Sequence, residues 1–136
     1  MSNVKYPRLQ QLIDGVKTQQ KLGVVYPLSA PSLETVALIT QHRLCVPILI
    51  GPQQKILQLA QQKQIQLDGV EIVDTVDDPI VAAKKSVELV RSGICSALMK
   101  GSLHTEELMG PVVSRDGLRT QNRISHLFIF DIATYP

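Results

Sequence analysis

The hydrophobic positions of this chain switch repeatedly between a helical period and short unbroken runs. Leu9, Leu12, Ile13 and Val16 recur at i, i+3, i+4 and i+7, which predicts a helix over Pro7–Gln20, weakened by Gly15. Leu22–Tyr26 predicts a short strand. The PLSAPS loop follows, with Ser29 or Ala30 as cap and Pro31 in the first turn of a helix reaching about Arg43. The grammar then repeats. Cys45–Ile50 is apolar throughout, as a strand covered on both faces would be, and Pro47 restricts its paired part to Ile48–Ile50. A helix over Pro52–Lys63, a strand at Val70–Asp74 and a helix opened by Asp78-Pro79 come next. Ile80, Ala83, Val87 and Val90 form the inward stripe of that helix, and Gly93 ends it. Ile94–Met99, a helix over Thr105–Val113 and Leu127–Phe130 complete the series.

Strand and helix alternate from end to end. The expected fold is therefore α/β and three-layered: a mainly parallel sheet of about five strands with helices on both faces. The first strand should lie centrally, with the second and third on one side and the fourth on the other. With 136 residues the chain is expected to be one domain, residues 1–136.

Composition narrows the function classes. Aromatics are 4% and Trp is absent, so the core must be aliphatic. Fourteen Lys and Arg against twelve Asp and Glu leave a charge of +2, too little to indicate a nucleic-acid or membrane partner. The longest apolar run, Leu44–Ile50, is far shorter than the roughly 20 residues of a membrane span, and the N-terminus has no apolar export segment. The two cysteines, Cys45 and Cys95, lack any CxxC or His/Cys cluster. They read as small buried thiols in a reducing cytosol, so the expected location is cytoplasmic, with no structural metal.

No dinucleotide fingerprint, Walker loop, nucleophile elbow or zinc-protease helix occurs. The strongest chemical candidate is the end of the fourth strand, Met99-Lys100-Gly101-Ser102-Leu103-His104-Thr105. Ligands of open α/β sheets bind beyond the carboxyl ends of strands. There Lys100 offers an ammonium and Gly101 permits close approach to the backbone. Ser102, His104 and Thr105 add polar groups just before a helix N-terminus, which favours an anion such as phosphate. The plainer alternative is that Ser102 or Thr105 only caps the helix. Arg115, Arg119, Arg123 and His126 on the long polar connection are possible second anion contacts, or a solvated loop. Ser29 and Ser32 read as capping residues. Asp74, Asp77 and Asp78 could hold magnesium, but Asp-Asp-Pro is an ordinary helix start.

The Lys100–Thr105 segment resembles the phosphate acetyltransferase and phosphate butyryltransferase family. The likeness extends through Gly110-Pro111-Val112-Val113, Gly117-Leu118-Arg119-Thr120, Arg123-Ile124-Ser125-His126, Phe130-Asp131-Ile132 and Thr134-Tyr135-Pro136. Upstream, Ile48-Leu49-Ile50-Gly51-Pro52 and the Asp78-Pro79 helix with Ala82 and Ala83 also fit, so the resemblance covers roughly residues 15–136. Leu108-Met109-Gly110-Pro111 lacks the Arg that the acetyl branch places before this Pro, which points to the butyryltransferase-like branch.

The resemblance implies transfer of an acyl group between coenzyme A and phosphate, in a cleft between two α/β domains. The coenzyme A thioester is then a substrate, with no further cofactor. The implied partners are phosphate or acyl phosphate, acyl-CoA and further copies of the chain. Lys100, Gly101, Ser102, His104 and Thr105 would line one cleft wall, with Arg119, Arg123 and Ser125 on its rim. The chain is expected to correspond to the family's N-terminal domain, with the second domain, which carries the catalytic residues, absent. The alternative function is a non-catalytic anion-binding or oligomerisation remnant of the family.

Overall fold

The computed structural model describes residues 6–15, 19–114, 117–118 and 120. Along them run α1 (Pro7–Asp14), β1 (Lys21–Val25), α2 (Ala30–Gln41), β2 (Val46–Gly51), α3 (Gln53–Gln62), β3 (Glu71–Asp74), α4 (Pro79–Arg91), β4 (Ala97–Lys100) and α5 (Thr105–Val113). The strands pair in parallel in the order β3-β2-β1-β4, so β1 is central and flanked as expected. The described sheet has four strands rather than about five. The fifth, expected at Leu127–Phe130, lies outside the described residues.

Burial on both faces explains the unbroken apolar runs. On one face Val25, Ile48 and Ile50 pack with Ala82, Ala83, Leu89, Leu103 and Leu108 of α4, α5 and the loop between β4 and α5. On the other, Val24 and Leu49 pack with Leu33, Val36, Ile56 and Ala60 of α2 and α3. Successive strand residues thus feed opposite cores, giving the expected three layers.

Pro47 costs the sheet nothing. Val46 donates its N–H to Gln20, and Ile50 accepts from Tyr26, so the even positions of β2 bond to β1. The missing N–H of Pro47 faces the β3 side, one residue ahead of the first β2–β3 pair, Ile48↔Glu71. The paired strand therefore begins at Val46, earlier than the sequence suggested.

Two helical stripes differ from expectation. α1 is described only to Asp14, and Leu12 is 58% exposed, so the predicted amphipathic face is not buried at that position. In α4 the buried side chains are Ala82, Ala83, Ser86, Val87 and Leu89, whereas Ile80 is 44% exposed. Small residues bring α4 close to the sheet, and Ser86 satisfies its hydroxyl on the Ala82 carbonyl at 2.7 Å. Ser29 and Asp78 cap α2 and α4, and Gly93 turns the chain after α4 with φ 82°, as the sequence indicated.

Ile50 is completely buried and Leu57 is 46% exposed. Chemical denaturation should show Ile50→Ala losing about 2–5 kcal/mol of stability and Leu57→Ala changing it by less than about 0.5 kcal/mol. Equal effects would contradict the two-faced core.

Candidate functional site

Parallel pairing brings the ends of all four strands, Val25, Gly51, Asp74 and Lys100, to one edge of the sheet. Chain order reverses between β1 and β4, because β2 and β3 extend one way and β4 the other. Such a switch point opens a crevice at the strand ends. The loops after β1 and β4, which carry Tyr26–Ser29 and Gly101–His104, lie on either side of it.

Those two loops are joined by main-chain bonds. Gly101 donates its N–H to Val25 at 2.8 Å, and Ser102 donates to Tyr26 at 2.8 Å. A Cβ on Gly101 would lie 2.4 Å from the Val25 carbonyl oxygen and 2.6 Å from that of Tyr26. A close approach that requires glycine at this position is thus made by the chain itself.

The side chains around this seat face outward. Lys100, Ser102, His104 and Thr105 are all exposed. The Lys100 ammonium turns towards the Gly101 carbonyl at 3.5 Å, and Lys100 takes part in neither ion pair of the described residues, Lys55–Asp77 and Lys85–Glu88. The structure brings these four residues together at the start of α5. Arg119, Arg123 and Ser125, like Arg115 and His126, lie outside the described residues.

The cap of α5 is His104, not Ser102 or Thr105. The His104 N–H donates to the Glu107 carboxylate at 2.8 Å, and Glu106 stands beside it in the first turn. The Glu three residues after the cap supplies this half of a capping box; the Glu107 N–H itself donates to the His104 main-chain carbonyl at 3.0 Å. The two carboxylates temper the positive helix end, so an anion there depends on Lys100 as well as on backbone N–H groups.

Ser29 and Ser32 do what capping predicts. Ser29 Oγ accepts the Ser32 N–H at 3.2 Å, and the two hydroxyls are 2.7 Å apart. Asp74 accepts the N–H of Gln53 at 2.9 Å, capping α3 from the neighbouring strand, and Asp78 accepts that of Ile80 at 2.8 Å. Asp77 receives the Tyr26 hydroxyl at 2.6 Å and pairs with Lys55. Each member of the aspartate cluster therefore serves as a cap or an ion-pair partner.

The Tyr26–Asp77–Lys55 trio was not visible in sequence, since its members lie on β1's exit, the β3–α4 loop and α3. Partial burial, followed by the hydrogen bond to Asp77 and the Asp77, Asp78 and Glu107 charges, pushes the Tyr26 phenol up to about 12. Lys55 and then Tyr26 hold the Asp77 carboxyl below its usual range. Burial also raises the Cys95 and Cys45 thiols; Cys95 is buried as expected, whereas Cys45 is half-buried. A separate cavity of about 860 Å³ opens between α4 and α5, lined by Ile80, Val87, Pro111 and neighbouring charged residues. None of Lys100, Ser102, His104 or Thr105 borders it.

Fold and loop together describe an open, parallel α/β protein with a basic, hydroxyl-bearing loop at its topological switch point. Comparison with curated proteins supplies the lineage. The chain is 43% identical over 124 residues to a phosphate acetyltransferase of Rickettsia felis, covering 90% of this chain and 35% of that protein. It is 44% identical over 110 residues to a phosphate acetyltransferase of Rhizobium meliloti, covering 80% of this chain and 34% of that protein. A phosphate butyryltransferase of Clostridium beijerinckii is 33% identical over 114 residues, covering 83% of this chain and 37% of that protein. No family model matches. By sequence the chain belongs with the phosphate acetyltransferase and phosphate butyryltransferase family, and it spans about a third of the length of these relatives. These identities run opposite to the butyryltransferase lean drawn from Leu108-Met109-Gly110-Pro111.

The Tyr26 phenol has a direct spectroscopic test. Alkaline titration followed by phenolate absorbance should show a tyrosine ionising near 12 that Tyr26→Phe removes, distinct from an ordinary value near 10. A raised folded-state value means that this contribution to stability is complete below about pH 10 and is lost as pH rises towards 12. Asp77 behaves conversely: its contribution is complete above the ordinary carboxyl range and disappears as pH falls through its lowered value. Titration of every tyrosine near 10 would contradict the contact.

Proposed function

We propose that the chain is the N-terminal portion of a phosphate acyltransferase, a single α/β domain that supplies the phosphate-side wall of the active site. The reaction is acyl-CoA plus phosphate to acyl phosphate plus coenzyme A. A phosphate oxygen attacks the thioester carbonyl and the coenzyme A thiolate leaves. The supporting observation is the family match across most of the chain, with the Lys100–Thr105 loop at the switch point of the sheet.

In this reading Lys100 provides charge to a phosphate oxygen. Ser102, His104 and Thr105 provide polar contacts at the start of α5, and Gly101 fixes their loop on β1. Arg119, Arg123 and Ser125 form the rim. The protein's work is positioning and charge stabilisation, with no cofactor beyond the thioester substrate itself. The setting is the cytoplasm, consistent with two free cysteines and with no described helix long and apolar enough to cross a membrane. No nucleic acid or membrane takes part. Association with further copies of the chain belongs to the same reading.

The alternative reading is a non-catalytic anion-binding or oligomerisation remnant of the same family. Two measurements test the site and its activity. Isothermal titration with phosphate should show weak binding that Lys100→Ala abolishes; equal binding by both proteins would remove the loop from the site. Coenzyme A release from acetyl-CoA or butyryl-CoA with phosphate, measured with light scattering on the same sample, should be far below about 1 per second for this chain alone. Turnover above that rate from a monodisperse monomer would place the whole catalytic set within these residues and exclude the remnant.

A further inference from the structure

Tyr26 adopts φ 54°, a left-handed backbone that bulky side chains rarely occupy. Such a conformation persists when its surroundings hold it from several sides. Here the residue is held at every polar atom. Its N–H donates to Ile50 at 2.8 Å, and its carbonyl accepts from Ser102 at 2.8 Å and from Leu28 at 3.0 Å. Its hydroxyl donates to Asp77 at 2.6 Å, and Asp77 is paired with Lys55 of α3.

From this geometry we propose that Tyr26 is a positioning residue for the Lys100–Thr105 loop, whose seat is tied through the phenol to the Asp77–Lys55 pair on the opposite side of β1. One residue thereby touches the exits of all four described strands: its own, that of β2 through Ile50, that of β3 through Asp77, and that of β4 through Ser102. The carbonyl that receives the Ser102 N–H belongs to the same residue whose side chain is fixed by Asp77. Releasing the phenol lets the left-handed turn relax, and the acceptor for Ser102 moves with it. Gly101 leaves no room for a side chain in this seat, because a Cβ there would lie 2.4 Å from the Val25 carbonyl oxygen and 2.6 Å from that of Tyr26. The inference rests on the reading of the Lys100 loop as an anion site, but the coupling itself is a property of the fold.

Amide hydrogen exchange on the intact chain, resolved by residue, tests the coupling without any ligand. Tyr26→Phe and Asp77→Ala should each speed exchange at Ser102 by about three- to tenfold. Exchange at core amides such as Val24 and Leu49 should stay unchanged. Asp77→Asn, which keeps an acceptor for the phenol, should restore most of the Ser102 protection. Uniform acceleration across the sheet would mean that Tyr26 only stabilises the fold, and unchanged Ser102 exchange in both variants would overturn the proposal outright. Asp77 lies in an exposed loop, so its variants remain informative if Tyr26→Phe folds poorly. A parallel titration with inorganic phosphate separates the two ideas. If the wild type shows no phosphate binding while the Ser102 effect appears, the anion site fails and the positioning role stands. If the wild type binds phosphate, Tyr26→Phe should weaken that binding by a similar factor, and unaltered affinity would overturn the positioning role.

Discussion

Everything at the candidate site depends on how closely β4's exit is pressed against β1's. Gly101 sits where a single methyl group would collide with two carbonyl oxygens, and its N–H and that of Ser102 are spent on holding the contact. That seat fixes where Lys100 leaves the sheet and where α5 begins. The remaining polar groups inherit their positions from it. The loop is therefore a product of sheet topology: β1 and β4 are neighbours only because β2 and β3 have both gone to the other side.

The two-faced core makes that topology affordable in a small chain. Val24 and Leu49 serve one helical layer while Val25, Ile48 and Ile50 serve the other. Neither layer needs aromatic bulk, which explains how a chain with 4% aromatics builds a core. Polar ends are satisfied locally or by neighbours. Ser29 and Asp78 cap their own helices, and Asp74 caps α3 from the next strand. With Asp77 engaged by Tyr26 and Lys55, the strand-end edge carries an ordered set of charges around the Lys100 loop.

Much of this was legible in the residues. The unbroken run ending at Ile50 marked a strand covered on both faces, Asp78-Pro79 marked a helix start, and Lys100-Gly101-Ser102 before Thr105 marked a polar strand exit leading into a helix. What was misread depends on distance in space rather than spacing in sequence. The inward stripe of α4 shifted from Ile80 to Ala82 and Ser86 because its packing partners lie on β1, β2 and α5. Nothing in the sequence shows that a side chain at Gly101 would meet the Val25 and Tyr26 carbonyls. Tyr26 and Asp77 are separated by 51 positions, and no local pattern announces their contact. Glu107, three residues after His104, returns its carboxylate to the His104 N–H.

The central claim is that the strand-exit loop at Lys100 is where this chain meets phosphate. Backbone amide chemical-shift mapping of the isotope-labelled chain during a phosphate titration tests it most directly. The account predicts saturable shifts centred on Lys100, Ser102, His104 and Thr105, with the α4–α5 cavity residues Ile80, Val87 and Ser114 unmoved. Shifts centred on that cavity, or no saturable shift at the Lys100 loop at phosphate concentrations that perturb other amides, would contradict it.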